Sequence, residues 1–216
     1  MTDVIFWDVD TQYDFIHSDG KLYVPGSEQI VPVLGRLTEL ARVAGIRVVA
    51  SADDHTLDDA EISDDPDYME TFPPHCMRET GGQEKIRETR LDDPEVIRGE
   101  KLESREIERI VADGRDILIL KQRFDVFSNP NTEPLLATLN PRRIVLYGVA
   151  LDVCNRFAVE GILQRMSGVR LQVVSDAVRP IDPEAGQLWL EDGRGRGVEL
   201  TTSDRLIEEL QTTSAS

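Results

Sequence analysis

Short runs of apolar, often β-branched residues recur along this chain, and segments with helical apolar spacing separate them. A short apolar run bounded by turn residues is typical of a strand buried on both faces, whereas apolar residues that repeat with the helical period are typical of a helix with one buried face. Alternation of the two patterns predicts a mostly parallel sheet covered by helices on both faces. We therefore predict an α/β fold, a three-layer α/β/α sandwich built on a Rossmann-like sheet of about six strands.

The individual elements follow from the same pattern. Strands are predicted at Val4 to Val9, Ile46 to Ala50, Ile117 to Leu120, Ile144 to Val149, Leu171 to Val174 and Val198 to Thr201. Helices are predicted at Ser27 to Ala44, Glu103 to Val111, Glu133 to Leu139, Val153 to Met166 and Ser203 to Leu210. Gly45 follows the first of these helices and is the residue type that most often ends one.

The segment from Asp53 to Glu95 interrupts this alternation, because it is rich in Asp, Pro and Gly and has little periodicity. Connections of this length in a compact domain are usually functional or disordered. Two of the three histidines lie in the segment, which favours a function. No linker or repeat divides the chain, so we expect residues 1–216 to form a single domain with one long loop at about residues 53–95.

Composition narrows the class of protein. The 216 residues are enough for one core, and no apolar run approaches the ~20 residues that a membrane span needs. A net charge of −17 argues against a nucleic-acid partner. Two cysteines exclude a disulfide-dense scaffold, although one bridge between Cys76 and Cys154 stays possible, and the N-terminus lacks a signal-peptide pattern. We expect a cytoplasmic protein that binds neither nucleic acid nor membrane.

Polar residues with catalytic chemistry follow several predicted strands. They are Asp8, Asp10 and Asp14 at the first strand, Asp53 and His55 at the second, Lys121 at the third, and Cys154 beyond the fourth. Ligands of open parallel sheets gather at the carboxyl ends of the strands. We therefore expect these side chains to converge on one rim.

Cys154 stands at a predicted helix start, where backbone N–H groups and the helix dipole favour a thiolate over a thiol. The alternative is a buried cysteine that acts as a small hydrophobe. A lysine or aspartate at a strand end is also often only a surface charge or a turn residue. Together, however, the three residue types supply a nucleophile, a cation and a proton acceptor. Their joint occurrence favours a nucleophilic Cys154 served by Lys121 and one of the acids.

A second group of residues has the chemistry of a metal site. Asp53-x-His55 is followed by His75 in the run Phe72-Pro-Pro-His75-Cys76. Two histidines and a carboxylate suit Zn²⁺ or a similar transition ion, with open positions for water and substrate. The alternative is that these are ordinary polar loop residues. The divalent metal we expect is Zn²⁺, with Fe²⁺ or Mn²⁺ as other candidates.

The sequence also resembles a known family. Asp10-Thr-Gln12-Tyr-Asp14-Phe15, Lys121 and Gly148-Val-Ala-Leu-Asp152-Val-Cys154 resemble, in order and spacing, the three signatures of the isochorismatase-like cysteine hydrolases. This resemblance covers nearly the whole chain and implies the family's fold and its catalytic triad of Asp10, Lys121 and Cys154. It also implies a cis peptide near Val149–Ala150, which would turn the backbone N–H groups of Ala150 and Cys154 toward a developing oxyanion.

Within that family the metal-type residues resemble the nicotinamidase branch, because Thr80-Gly-Gly-Gln-Glu84 follows them. The resemblance implies hydrolysis of nicotinamide, or a close small carboxamide, to the acid and ammonia through a thioester on the cysteine. It implies that the metal orients the ring nitrogen of the substrate and that the protein forms a homodimer or homotetramer. Phe15, Phe72 and Phe124 are candidates for the wall of an aromatic substrate pocket.

Two other functions stay open at this stage. The same thiolate chemistry could act on another small amide, ureido or carbamoyl substrate, or the protein could be a binding or scaffold protein that retains the fold. Asp54 and Phe72 stand where the nicotinamidase branch commonly has Trp, and Leu151 and Asn155 also depart from the common pattern. An acidic insert at Asp58 to Asp67 is a further departure, and each of these changes can reshape the pocket.

Overall fold

The computed structural model describes residues 3–214, with side chains described to residue 212. Its single sheet has seven strands in the order β3-β4-β2-β1-β5-β6-β7, and every pairing of neighbouring strands in it is parallel. The strands are β1 (Val4–Val9), β2 (Arg47–Asp53), β3 (Glu95–Ile97), β4 (Ile117–Lys121), β5 (Arg143–Val149), β6 (Arg170–Arg179) and β7 (Glu199–Thr201). The predicted parallel α/β fold is confirmed.

Seven α-helices connect or flank these strands within the described residues. They are α1 (Tyr13–Ile16), α2 (Val31–Ala44), α3 (Ser104–Asp113), α4 (Thr132–Leu139), α5 (Cys154–Arg165), α6 (Pro183–Gly195) and α7 (Ser203–Ser214). Short 3₁₀ turns lie at Ser27–Ile30, Arg87–Thr89 and Val126–Ser128. The first of these turns replaces the start of the helix that the sequence predicts from Ser27.

The apolar pattern does not predict the four-residue helix α1, strand β3 or helix α6. Strand β3 has three residues and exists through its pairing with β4, which no local pattern reports. Helix α6 contains three glycines and little apolar periodicity. Its start nevertheless carries a recognisable signal: the Asp182 carboxylate accepts the N–H groups of Glu184 and Ala185, and Pro183 occupies the first helical position.

Each face of the sheet packs on its own core. Along β1, Ile5, Trp7 and Val9 face the core that α3, α4, α5 and α6 cover. Phe6 faces the opposite core, which α1, α2 and α7 cover. The predicted three-layer sandwich follows from this alternation, because successive side chains of a strand point to opposite faces. None of the helices within residues 3–214 is both long and apolar enough to cross a bilayer.

The long loop between β2 and β3 is tied to the carboxyl end of β1. Lys85 and Gln12 form an isolated antiparallel β-bridge, and the N–H of Ile86 donates to the Thr11 carbonyl over 3.0 Å. The Nζ atom of Lys85 lies 3.0 Å from the buried Asp8 carboxylate. Burial raises the pKa of the Asp8 carboxyl even though Lys85 opposes that shift. These contacts hold the loop over the rim where the strand-end residues lie.

Gly148 allows β5 to approach β1 closely, and this approach gives a test of the fold. Its φ is 116°, and an added Cβ would lie 2.0 Å from the Val9 carbonyl oxygen. We expect Gly148→Ala to lower the free energy of unfolding by more than about 3 kcal/mol. Gly45→Ala is the control, because Gly45 has a φ of 63° but no neighbour within 4 Å of an added Cβ. Its loss should be about 1–2 kcal/mol, the usual cost of a side chain in the left-handed region. Equal losses in urea unfolding would contradict this role.

Candidate active site and metal centre

The strand-end residues singled out in the sequence meet on one rim of the sheet. Strands β4, β2, β1 and β5 are consecutive neighbours, so their carboxyl ends lie side by side. Asp53 and Lys121 are direct partners in the β2–β4 register. Asp10 follows β1, and Cys154 is the first residue of α5, one turn beyond β5. The structure therefore brings Asp10, Asp53, Lys121 and Cys154 together.

Lys121 is at the centre of this group and is 1% exposed. Its Nζ lies 2.9 Å from Oδ2 of Asp10 and 3.7 Å from Sγ of Cys154, and it donates a hydrogen bond to Oδ1 of Asp53. Burial lowers the pKa of the ammonium group, but Asp10, Asp53 and Cys154 outweigh burial and raise the Lys121 pKa well above its ordinary value. The side chain therefore carries its charge inside the protein.

Asp10 occupies the left-handed backbone region, with a φ of 48°. Its Oδ1 accepts a hydrogen bond of 2.6 Å from Ser51 Oγ. Its Oδ2 faces Lys121 and, among the described residues, has no hydrogen bond of good geometry. Because Oδ2 is buried and accepts no hydrogen bond of good geometry, it is free to take a proton from a neighbouring group.

The two rival acids serve other contacts. Asp8 pairs with Lys85 and accepts a 2.8 Å hydrogen bond from Thr11 Oγ1. Asp14 accepts the backbone N–H of Cys76 over 2.7 Å and that of Lys21 over 3.0 Å. Both carboxylates therefore hold the loop, and Asp10 is the acid beside Cys154.

Cys154 differs from the sequence expectation in its protonation. It is 7% exposed, and burial raises the pKa of its thiol, an effect that Lys121 opposes and that Asp10 and Asp53 reinforce. The net pKa is well above the ordinary value, so this environment favours the thiol and not the thiolate. Burial and two carboxylates outweigh the lysine. A nucleophilic Cys154 must therefore lose its proton as it attacks, and the nearby acceptor is Asp10.

The turn between β5 and α5 has the geometry that the family resemblance implies. The Val149–Ala150 peptide is cis. The carbonyl of Ala150 accepts the N–H groups of Val153 and Asn155 over 3.1 and 3.0 Å, and Asn155 Nδ2 donates to the Gly148 carbonyl over 3.1 Å. These bonds fix the backbone that carries the N–H groups of Ala150 and Cys154. Their role as oxyanion donors stays a prediction.

Asp53, His55 and His75 form the candidate metal centre. One ligand atom from each lies within 4.8 Å of the others, and all three residues are buried. Oδ2 of Asp53 is 3.7 Å from Nε2 of His55 and 3.8 Å from Nε2 of His75. Burial raises the pKa of the Asp53 carboxyl, but Lys121 and the histidines outweigh burial and hold that pKa well below its ordinary value.

The donor set fits a divalent transition ion. The carbonyl of Pro73 accepts from Nδ1 of His75 over 2.8 Å, so a neutral His75 ring presents an unprotonated Nε2 toward Asp53. Both ring nitrogens of His55 are buried without a hydrogen-bond partner among the described residues. Buried polar atoms are rarely left in that state, and a bound cation would satisfy His55 Nε2.

A small, mostly apolar cavity of about 40 Å³ is lined by Cys154 and by two of the candidate metal ligands, Asp53 and His75. Phe15, Phe72 and Phe124 all line it. The rings of Phe72 and Phe124 pack edge to face at 5.4 Å, and the Phe15 ring lies 5.5 Å from the His75 ring. Leu22 and Ile181 also line the cavity, although the sequence pattern does not single them out.

Sequence reasoning misses two buried residues beside the site. Gln12 accepts the N–H of Asp53 over 2.7 Å and donates to the carbonyls of Asp53 and Gln83, each over 2.8 Å. Its position between two motif acids is the signal that could have found it. Glu61 is buried within the acidic insert and accepts the N–H of Phe124 over 2.9 Å. Burial raises the pKa of Glu61, and no local pattern separates it from its exposed acidic neighbours.

Comparison with known proteins agrees with the fold and the motifs. A sequence profile of the Isochorismatase domain matches residues 5–205. The chain therefore belongs to the isochorismatase-like hydrolases, and the predicted family resemblance is confirmed.

Three similar proteins illustrate the range of the family. A protein named as a probable inactive nicotinamidase, from Arabidopsis thaliana, is 26% identical over 204 residues, or 94% of this chain and 93% of that protein. The zinc complex of Pyrococcus horikoshii pyrazinamidase superposes with a TM-score of 0.73 at 22% identity, over 93% of this chain and 99% of that one. N-carbamoylsarcosine amidase from Thermoplasma acidophilum gives a TM-score of 0.70 at 26% identity, over 94% and 97%.

The opposing charges around Cys154 predict opposite pH shifts for its alkylation. Lys121 lowers the pKa of the thiol and Asp10 raises it. We expect Lys121→Met to move the pH profile of iodoacetamide labelling to higher pH, and Asp10→Asn to move it to lower pH, each by about one pH unit or more. The metal-free Cys76→Ala protein, which keeps one thiol, is the background for mass spectrometry. Shifts in the same direction would contradict the proposed contacts.

The metal centre predicts a histidine-specific loss of zinc. We expect His75→Ala to weaken zinc binding by more than about 100-fold, because removal of residues that merely support a ligand already costs 10–100-fold. His17→Ala is the matched control, since His17 lies against Tyr13 at a ring distance of 4.4 Å and outside the Asp53–His55–His75 group. Equilibrium dialysis measures both affinities. An equal loss in the two variants would argue against this centre.

Proposed function

We propose that this protein is a metal-containing cysteine amidohydrolase of the nicotinamidase type, which converts nicotinamide, or a close small carboxamide, to the acid and ammonia. The observation that carries the proposal is the position of Lys121. This one ammonium group contacts Cys154, Asp10 and Asp53. It therefore joins the candidate nucleophile and its base to the candidate metal ligands.

The first half of the reaction forms a thioester. Oδ2 of Asp10 takes the proton of the Cys154 thiol as the sulfur attacks the carboxamide carbon. Lys121 stabilises the negative charge as it develops on sulfur. The N–H groups of Ala150 and Cys154 stabilise the oxyanion, with each such donor worth about 3 kcal/mol. Asp10 then returns the proton to the leaving nitrogen, the C–N bond breaks, and ammonia departs.

The second half releases the acid. Asp10 takes a proton from a water molecule, whose oxygen attacks the thioester carbon. The C–S bond breaks, the carboxylic acid leaves, and the proton returns to Cys154. A divalent ion held by Asp53, His55 and His75 would supply a Lewis acid that binds an electron-pair donor of the substrate, such as a pyridine nitrogen. Phe15, Phe72 and Phe124 would pack against the substrate ring.

A second candidate is a hydrolase for a smaller amide, ureido or carbamoyl substrate. The observation in its favour is the cavity of about 40 Å³, since cavities that admit benzene measure about 150 Å³. A pyridine ring would require the aromatic wall to open. The relative from Thermoplasma acidophilum, named as an N-carbamoylsarcosine amidase, lends this candidate further support.

A third possibility is binding without turnover. The Arabidopsis thaliana relative is named as probably inactive, although the present chain has Asp10, Lys121 and Cys154 in contact. Calorimetry with nicotinamide combined with the ammonia assay distinguishes this function from an enzyme, because a binding protein would bind nicotinamide without releasing ammonia from it. Location in the cytoplasm and assembly into a homodimer or homotetramer stay predictions.

Ammonia release tests the proposed function directly. We expect the protein loaded with zinc, iron or manganese to release ammonia from nicotinamide, and Cys154→Ala to lose activity by about 10⁴-fold or more. Cys76→Ala should retain activity, because Cys76 uses its backbone and not its thiol in the contacts described above. A panel of short amides and ureido acids is assayed in parallel.

The outcomes separate the candidates. No ammonia from nicotinamide or pyrazinamide with any of the three metals would overturn the nicotinamidase assignment. Ammonia from short amides in that case would favour the second candidate. Full activity of Cys154→Ala would rule out the cysteine mechanism for either substrate class.

A further inference from the structure

Asp54 lies between two candidate metal ligands in sequence but faces away from them. Its side chain is 3% exposed. Arg78 donates to it through Nε over 3.0 and 3.1 Å and through Nη2 over 2.7 Å, and Gln83 Nε2 donates over 2.6 Å. Arg98 stands farther off, with Nη1 at 3.8 Å. Asp54 is therefore a buried acid whose charge is balanced mainly by one arginine.

Arg78 belongs to the segment that carries the third ligand, His75. This segment has no helix or strand and meets the end of β2 through an isolated bridge between His55 and Met77. The His55 N–H donates to the Cys76 carbonyl over 3.2 Å, and the Arg78 N–H donates to the His55 carbonyl over 2.8 Å. Two backbone bonds and the Asp54–Arg78 side-chain pair thus hold one ligand segment against the other.

The side-chain pair adds direction as well as energy. An arginine that contacts both oxygens of a carboxylate fixes the relative orientation of the two side chains, which a single hydrogen bond does not. Removal of Arg78 would leave a buried carboxylate with Gln83 and the distant Arg98 as its partners. An uncompensated buried charge is strongly unfavourable, so the Asp54 carboxylate would turn toward water. The segment that carries His75 would then lose its side-chain contact with the residues that follow β2.

We propose that Asp54 and Arg78 form a clamp that holds His75 opposite Asp53 and His55, so that both are positioning residues for metal binding. The clamp rests on the proposed metal centre. Neither residue touches the candidate thiol, base or substrate cavity. Their influence on the reaction would pass through the geometry of the metal ligands.

Arg78→Met tests the clamp, and the same loop supplies a matched control. Arg90 pairs with Glu84 over 2.6 Å, but both side chains are more than 60% exposed and neither contacts a candidate ligand. We expect Arg78→Met to weaken zinc binding 10- to 100-fold, and Arg90→Met to leave it unchanged. Arg78→Lys should fall between the two, because it restores the charge without the paired contacts. Competition with a chromogenic chelator gives the affinities, and thermal unfolding of the metal-free proteins gives their stabilities.

The two measurements distinguish positioning from general support of the fold. Weaker zinc binding by Arg78→Met, with a metal-free melting temperature near that of Arg90→Met, supports the clamp. A lowered melting temperature with unchanged zinc affinity would overturn it, because Arg78 would then stabilise the loop without aligning ligands. Zinc binding absent from the unmodified protein would refute the metal centre itself and the clamp with it, whereas intact binding in both variants refutes the clamp alone.

Discussion

The arrangement of the site depends on one buried ammonium group. An isolated buried charge costs several kcal/mol, and Lys121 avoids that cost by contacting two carboxylates. Asp10 directly follows β1, Asp53 is the last residue of β2, and Lys121 is the last residue of β4. The strand order β4-β2-β1-β5 is what allows the three to meet and sets Cys154 beside them. In the absence of the lysine, Asp10 and Asp53 would be two like charges in a buried site.

The same interaction explains why Lys121 alone does not make Cys154 a thiolate. Lys121 favours a thiolate at Cys154, but its charge is already shared with Asp10 and Asp53, and burial acts against the ionised sulfur. The Cys154 sulfur therefore keeps its proton, and the Asp10 carboxylate lies beside it as the acceptor. Such an arrangement suits a nucleophile that is deprotonated during attack, as the proposed acyl transfer requires.

The long loop has to be held as firmly as the strands, because His75 and Phe72 lie on it. Polar side chains at the end of β1 provide this support: Gln12 binds the backbone of Asp53 and Gln83, and Asp14 binds the N–H of Cys76. Gln12 and Asp14, which follow Asp10 in the same motif, thus bind the backbone of the segments that carry the candidate metal ligands. These contacts connect the edge of the sheet to a loop that contains no α-helix or strand.

The sequence alone was sufficient for the alternation of strands and helices, the family, and the residues that meet at the rim, because buried parallel strands carry a local apolar signal and motif residues keep their spacing. It left α1, β3 and α6 unpredicted, because α1 has only four residues, β3 depends on its partner strand and α6 has a weak apolar face. The residue types alone left Asp8, Asp10 and Asp14 as rivals beside the cysteine, and it was the family resemblance that selected Asp10. Only the tertiary structure assigned Asp8 and Asp14 to the loop, raised the pKa of the Cys154 thiol, and paired Asp54 with Arg78. Burial and charge partners decide such properties, and both arise from residues that are distant in sequence.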